Sequence, residues 1–193
     1  MSKVVVSIGS PHKEGRTAQL VQEIVRGATE AGAEVKVYHA SETEIGPCRG
    51  CWACAKAPEF ECANKDGMEA VLAEVKGADA VVVGSPIYFF QASAQAKAFL
   101  DRLVPLYGLK ITPEGPQRVP RFPVKKLLMA YTQNVDDPGA YKTYFDWARL
   151  GMAITPGFFD TMSDVVLSGC INPEPPRLAE AMETAYAAGR ALA

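Results

Sequence analysis

Four stretches of the chain are apolar almost without interruption, and the segments between them carry apolar residues three or four positions apart. Val4-Val5-Val6-Ser7-Ile8 is the first such run, followed by Ala80-Val81-Val82-Val83, by Leu127 to Ala130 within Lys126–Tyr131, and by Val165-Val166-Leu167 within Asp164–Ser168. Runs this short, rich in β-branched residues, suit strands buried on both faces of a parallel sheet. A fifth strand is predicted at Val35, Val37 and Tyr38, where Glu34 and Lys36 mark a less buried side and hence a sheet edge. Helical spacing joins Leu20, Val21, Ile24, Val25 and Ala28 before Gly32, and Met68, Val71, Leu72 and Val75 before Gly77. It recurs at Ala96, Phe99, Leu100 and Leu103, and in a helix begun near Pro138-Gly139 that carries Tyr144, Phe145, Trp147, Ala148 and Leu150 up to a Gly157-Phe158-Phe159 break. A terminal helix over Arg177–Ala193 follows Pro175-Pro176. Strand and helix alternate throughout, which predicts an α/β fold: one five-stranded parallel sheet with helices on both faces. Strand order 2-1-3-4-5 would put the ligand crevice beside strands one and three, where the order reverses.

The loop leaving the first strand is Gly9-Ser10-Pro11-His12-Lys13-Glu14-Gly15-Arg16-Thr17. Its small and hydroxyl residues stand where a helix begins, and a helix start offers unpaired N–H groups and partial positive charge to an anion. Two glycines do not make the G-x-G-x-x-G dinucleotide fingerprint. Gly9 and Gly15 are also one residue too far apart for a nucleoside-triphosphate loop, in which Lys would stand at Arg16. A loop of amides and hydroxyls around one phosphate remains, with His12 as a further donor. The competing reading is an ordinary connection in which Ser10 or Thr17 caps the helix.

Three other stretches could carry chemistry. Pro86-Ile87-Tyr88-Phe89-Phe90 follows the third strand and offers flat side chains beside free backbone groups, as a tricyclic flavin ring requires; core or interface packing is the alternative, above all for Phe90. Gln133 and Asn134, after the fourth strand, could bond the ring carbonyls or be plain loop residues. Residues 39–66 form a long insertion containing Cys48-Arg49-Gly50-Cys51-Trp52-Ala53-Cys54 and Cys62. C-x2-C-x2-C spacing with a fourth cysteine close behind resembles the ligand set of a [4Fe-4S] cluster, whereas structural zinc draws on two separated pairs. A zinc site, a disulfide and free structural thiols stay open. Cys170 lies outside the spacing and reads as a small core residue, while His39 at a strand end reads as solvated. The proline- and glycine-rich residues 107–123 read as a surface excursion.

Bulk properties narrow the field. With 193 residues, a single domain is expected. Twenty basic against 22 acidic residues leave no basic surface for nucleic acid and no polybasic membrane patch. Without a leader-like start or an apolar run long enough to span a bilayer, a cytoplasmic protein is expected, in a compartment where thiols stay reduced. No hydrolytic triad is present.

Together the first loop, Ser85-Pro86-Ile87-Tyr88 with Lys97-Ala98-Phe99-Leu100-Asp101-Arg102, and Cys48, Cys51, Cys54 and Cys62 ahead of Asp66-Gly67-Met68 resemble the flavodoxin-fold flavoproteins. That group includes the NADPH-dependent FMN reductases and the iron-sulfur flavoproteins of anaerobic microbes. The resemblance implies a flavodoxin-like domain that binds FMN, with Ser10, His12, Gly15, Arg16 and Thr17 at the phosphate and Pro86, Ile87, Tyr88 and Phe89 at the ring. His12 stands where Arg is common in the family, and Arg16 where Asn is common. It further implies a homodimer or homotetramer, with flavin near the subunit interface. Three activities are compatible with it. One is electron transfer from a reduced donor, such as a ferredoxin-like protein, to a small-molecule or protein acceptor through a cluster at the four cysteines. The others are an NAD(P)H-dependent FMN or quinone reductase without a cluster, and a flavodoxin-like electron carrier.

Overall fold

The computed structural model describes residues 1–56, 61–122, 126–153, 159–170 and 175–193. In chain order the elements are β1 (Lys3–Ile8), α1 (Arg16–Glu30), β2 (Glu34–His39), α2 (Ala53–Lys56), α3 (Met68–Val75), β3 (Ala80–Tyr88), β4 (Gln91–Ala92) and α4 (Ala94–Asp101). A 3-10 turn (Val104–Leu106) leads to β5 (Tyr107–Thr112), β6 (Gly115–Pro120), β7 (Lys126–Thr132), α5 (Lys142–Ala153), β8 (Thr161–Leu167) and α6 (Pro175–Arg190).

The main sheet runs β2-β1-β3-β7-β8, all parallel, which is the expected 2-1-3-4-5 order. Its two faces follow from the strand period of two. Val4, Val6 and Ile8 point to one side with Val82, Leu128 and Ala130, where Leu20, Val21 and Ile24 of α1 and Ala185 of α6 cover them. Val5, Val81, Val83, Leu127 and Met129 point to the other side, under Met68, Val71, Leu72 and Val75 of α3, Phe99 of α4 and Phe145 of α5. Burying a large apolar side chain is worth about 1.5–3 kcal/mol, so these two stripes carry most of the driving force.

The sheet has more strands than the five expected. β3 does not stop at Ser85 but continues through Pro86 to Tyr88, and the two-residue β4 folds back antiparallel on it, pairing Tyr88 with Gln91. Pro86 is tolerated because the proline only removes a donor, and the strand still pairs with β7 at Pro86 and Thr132. The excursion at 107–123 is a β5–β6 hairpin up to Pro120, turning at Pro113-Glu114 before Gly115, whose φ of 115° favours glycine. Each strand of a two-stranded hairpin is an edge, so Pro116 and Pro120 do not rupture it.

β8 begins at Thr161, three residues before the expected Asp164, and α5 at Lys142 instead of near Pro138. In α5, Phe145 is buried and Tyr144 packs partly against the same core, while Trp147 and Leu150 face solvent, roughly 140–160° round the helix from Phe145. Gly157 and Phe158 of the expected break, residues 57–60 of the cysteine insertion and Pro123 lie outside the described residues. Among the described residues no helix is long and apolar enough to cross a membrane.

Candidate functional site

The carboxyl ends of β1, β3 and β7 form one rim, and short polar contacts lock their loops together. The Gly9 N–H donates to the Gly84 carbonyl at 2.8 Å, and Ser93 Oγ donates to the Gly9 carbonyl at 2.6 Å. Ser93 also caps α4, its Oγ accepting from the Ala96 N–H at 3.2 Å, while its own N–H donates to Ser85 Oγ at 2.9 Å. Glycine is required at position 9 because α4 begins against it: a Cβ there would lie 2.6 Å from that of Ala96.

The loop from Ser10 to Thr17 delivers the amino end of α1 to this rim. Gly15 is the cap residue, no side chain caps the helix, and no acidic residue occupies its first turn. Its N–H donors therefore have no anionic side chain to answer them, a suitable state for a phosphate. Ser10 is buried and its Oγ accepts from the His12 N–H at 3.2 Å, closing the loop into a tight turn, with His12 itself exposed. Arg16 donates from Nη1 to Gln19 Oε1 at 2.8 Å. Thr17 is buried, with its Oγ1 2.7 Å from that of Thr132 at the end of β7.

Beyond β3 the chain turns through Phe89 and Phe90, with φ of 43° and 70°. Two left-handed residues between paired strands are the geometry of a tight primed hairpin turn, normally filled by Asn-Gly. Two phenylalanines there store strain, on the order of 1–3 kcal/mol each. Both rings point outward, Phe89 94% and Phe90 65% exposed, 5.5 Å apart, with Phe90 6.3 Å from Tyr141. Phe90 is therefore not a core residue in this chain. Ile87 is half-buried on the core and Tyr88 is exposed at 47%, so Pro86 to Phe89 present a graded apolar ledge. The ledge is held from behind by Tyr144, whose hydroxyl accepts from the Ala92 N–H at 3.0 Å.

Gln133 and Asn134 behave differently. Gln133 is 2% exposed and its Nε2 donates to the Asp137 carbonyl at 2.9 Å and to Ser168 Oγ at 2.8 Å, stapling the loops after β7 and β8; its Oε1 is buried without a partner. Asn134 is exposed on the rim.

The four clustered cysteines have free thiols and line one cavity of about 330 Å³, shared with Trp52, Asn64, Asp101, Val104 and Tyr107. Cys48 and Cys51 are exposed, Cys54 and Cys62 half-buried. Burial, and then the charges of the three other cysteines, push the Cys54 thiol above its ordinary value. Among the described residues no three His, Cys, Asp or Glu side chains are grouped as the ligands of a single metal ion. Gly50 and Trp52, at φ 63° and 58°, bend the segment between them.

Two arginines that sequence reasoning had not assigned to this site organise the insertion. Arg102, at the carboxyl end of α4, is 1% exposed and forks onto Asp66, Nη1 to Oδ2 at 2.8 Å and Nη2 to Oδ1 at 2.9 Å. The same guanidinium donates to the carbonyls of Gly46 at 2.9 Å and Asn64 at 3.1 Å, two positions before Cys48 and two after Cys62. Asp66 in turn accepts from the N–H groups of Gly46 and Met68, both at 3.0 Å. Arg102 and these two N–H groups hold its carboxyl below the ordinary value despite partial burial. Arg121, just after β6, donates to the carbonyls of Cys54 and Ala55 at 3.3 and 3.1 Å, so the hairpin clasps the middle of the loop. An arginine following the buried stripe of α4 was the available signal; its partner, 36 residues away, was not readable.

His39 departs from expectation. Its Nδ1 accepts from the Ser41 N–H at 3.1 Å, and its Nε2 is buried without a partner because the ring turns into a cleft with Val21, Val25 and Val37 instead of into solvent. Cys170 is half-buried, with Sγ 3.3 Å from the Leu167 carbonyl, and packs against the core as expected.

Comparison with known proteins adds three findings. Residues 2–115 match a family described as NADPH-dependent FMN reductase. An iron-sulfur flavoprotein of Methanocaldococcus jannaschii is 38% identical over 104 residues, 54% of this chain and 53% of that protein; one of Archaeoglobus fulgidus is 36% identical over 113 residues, 58% and 50%. The matches thus span about half the length of these curated relatives. The NAD(P)H:quinone oxidoreductase of Methanothermobacter marburgensis superposes with a TM-score of 0.76 at 15% identity over 100% of this chain and 99% of that one, a likeness of fold. The fold is flavodoxin-like.

Proposed function

The chain belongs to the NADPH-dependent FMN reductase family, and on that premise we propose an FMN-dependent oxidoreductase that holds the flavin phosphate at the amino end of α1 and the ring against the ledge from Pro86 to Phe89. The observation that carries this reading is the meeting of an uncapped, acid-free helix start with a strained, outward-facing aromatic turn on a single rim. Bound FMN supplies the hydride and electron chemistry; the protein supplies position and electrostatics.

Backbone N–H groups of Arg16 and Thr17 and the Ser10 hydroxyl would hold the phosphate, with Gly15 closing the loop by donating to the His12 carbonyl at 3.3 Å and the Arg16 and His12 side chains as outer donors. Thr17 and Thr132 share one hydrogen bond between two hydroxyls, so one of the pair keeps a proton to donate elsewhere. Asn134 is the exposed amide of the β7 loop that could meet the ring edge. Gln133 serves the rim by stapling the loops behind it.

Cys48, Cys51, Cys54 and Cys62 are proposed to hold a [4Fe-4S] cluster. Four free thiols lining one cavity suit that donor chemistry, and their compact spacing suits a cluster better than zinc. A cluster there would supply one-electron relay between a protein donor and the flavin; an assembly of two or four chains is part of the same proposal.

One set of measurements tests the reading. FMN is titrated into the apo chain while its fluorescence is followed, and quenching at micromolar flavin is expected. Iron and acid-labile sulfide are measured after anaerobic reconstitution, and NADPH oxidation is followed with a quinone. No FMN binding would remove the proposal. Flavin binding and NADPH turnover without iron or sulfide would leave a cluster-free flavin or quinone reductase.

A further inference from the structure

We propose that Arg102 is the positioning residue of the cysteine cavity: it fixes both flanks of the loop and, as a buried cation beside Cys62, raises the reduction potential of an iron–sulfur centre held there. The inference rests on the cluster reading above and goes beyond it, since nothing in that reading assigns a residue that tunes the centre.

Three observations carry it. First, the guanidinium ties the carbonyl of Gly46 to that of Asn64, so the entry and exit of the cysteine loop are pinned to one rigid group at the end of α4. Second, Arg102 is 1% exposed and its only paired carboxylate among the described residues is Asp66, 21% exposed. Third, its Nε–H is buried and meets no acceptor at hydrogen-bonding distance, a donor left over on the group that adjoins the cavity wall at Asp101 and Asn64. The Asn64 carbonyl held by this guanidinium lies two positions after Cys62, so the cation sits against the exit of the cysteine loop.

The direction of the effect follows from charge. Four thiolates around a sulfide-bridged iron core are net negative, and reduction adds one electron to that charge. A fixed cation in a poorly solvated position favours the more negative state, and salt screens it little. Asp66 opposes the effect by answering part of that charge. Removing Arg102 and neutralising Asp66 must then move the potential in opposite directions, which a purely structural role for the pair would not produce.

The experiment compares the unaltered full chain with Arg102→Gln, Arg102→Lys and Asp66→Asn after anaerobic reconstitution with iron and sulfide. Iron and sulfide per chain are measured, and the midpoint potential is read by redox titration of the visible spectrum. Arg102→Gln is expected to weaken the one-electron reduction equilibrium at least tenfold, about 59 mV more negative. Asp66→Asn is expected to shift it to more positive potential, and Arg102→Lys to stay near the unaltered chain in potential while binding less iron. If Arg102→Gln does not fold or load, the positive shift in Asp66→Asn and the unshifted Arg102→Lys decide the matter. Loaded variants that share one potential, or that all move the same way, overturn the proposal. Absence of iron and sulfide from the unaltered chain overturns the cluster reading itself, and is distinguished by needing no variant.

Discussion

The hydroxyls of Thr17 and Thr132 lie 2.7 Å apart in the interior, joining the first turn of α1 to the last residue of β7 across 115 positions of sequence. The contact couples the proposed phosphate loop to a strand on the far side of β3. Thr17→Val is expected to weaken FMN binding by about 1–3 kcal/mol, because the retained Thr132 hydroxyl loses its partner and the pair loses its spare donor. Thr17→Ser should recover most of the loss. Flavin titration by fluorescence measures both, and unchanged affinity in Thr17→Val would assign the phosphate to backbone amides and Ser10 alone.

The Phe89-Phe90 turn predicts an exchange of stability for binding. Phe89→Gly removes a left-handed non-glycine residue whose ring makes almost no buried contact, so the apo chain should gain up to about 1 kcal/mol after glycine's own entropy cost. Its melting temperature should rise while flavin affinity falls. Tyr88→Ala should weaken FMN retention more than Phe90→Ala, since Tyr88 continues the strand beside the ring ledge and Phe90 leans toward Tyr141. Equal retention by both variants in a flavin-release assay would contradict the ledge assignment.

Asp66 and Arg102 give the fold a defined acid response. The Asp66 carboxyl is held below its ordinary value of 3.8 by Arg102 and two N–H groups, so its ionised form is stabilised in the folded chain. That contribution is complete above the ordinary value and disappears as pH falls through the lowered one. Denaturant unfolding at neutral pH and below pH 4 should therefore show an acid loss of stability that Asp66→Asn reduces. Asp66→Ala, which leaves the buried guanidinium uncompensated, should cost about 3–5 kcal/mol at neutral pH. A stability difference that does not shrink toward low pH would mean the carboxylate charge contributes nothing.

The cysteines should not react alike in the metal-free chain. Burial raises the Cys54 thiol, whereas Cys48 and Cys51 are exposed, so iodoacetamide at neutral pH should modify Cys48 and Cys51 first. The lag of Cys54 should narrow as pH rises and its thiolate forms. Peptide mass spectrometry of a timed quench reads the order directly; simultaneous modification of all three would show that the cavity does not shield Cys54.

What the amino-acid order by itself determined is whatever depends on near neighbours. Runs such as Val4–Ile8 and Ala80–Val83 announce strands buried on both faces, the spacing of Leu20, Val21, Ile24 and Ala28 announces the helix that covers them, and alternation of the two leaves little choice but a parallel sheet. The loop at Gly9–Thr17, the aromatic stretch at 86–90 and the cysteine spacing were legible for the same reason, since each is a local chemical pattern. Only the tertiary structure decided which groups answer one another across the chain. Arg102 finds Asp66, Gly46 and Asn64, Arg121 clasps Cys54, Thr17 finds Thr132, and Gln133 turns inward to Ser168. Each of these is a polar group carried into a low-dielectric interior, where its partner is whichever donor or acceptor the packed strands and helices bring within 3 Å or so, a choice made by geometry and burial that no spacing in the sequence records.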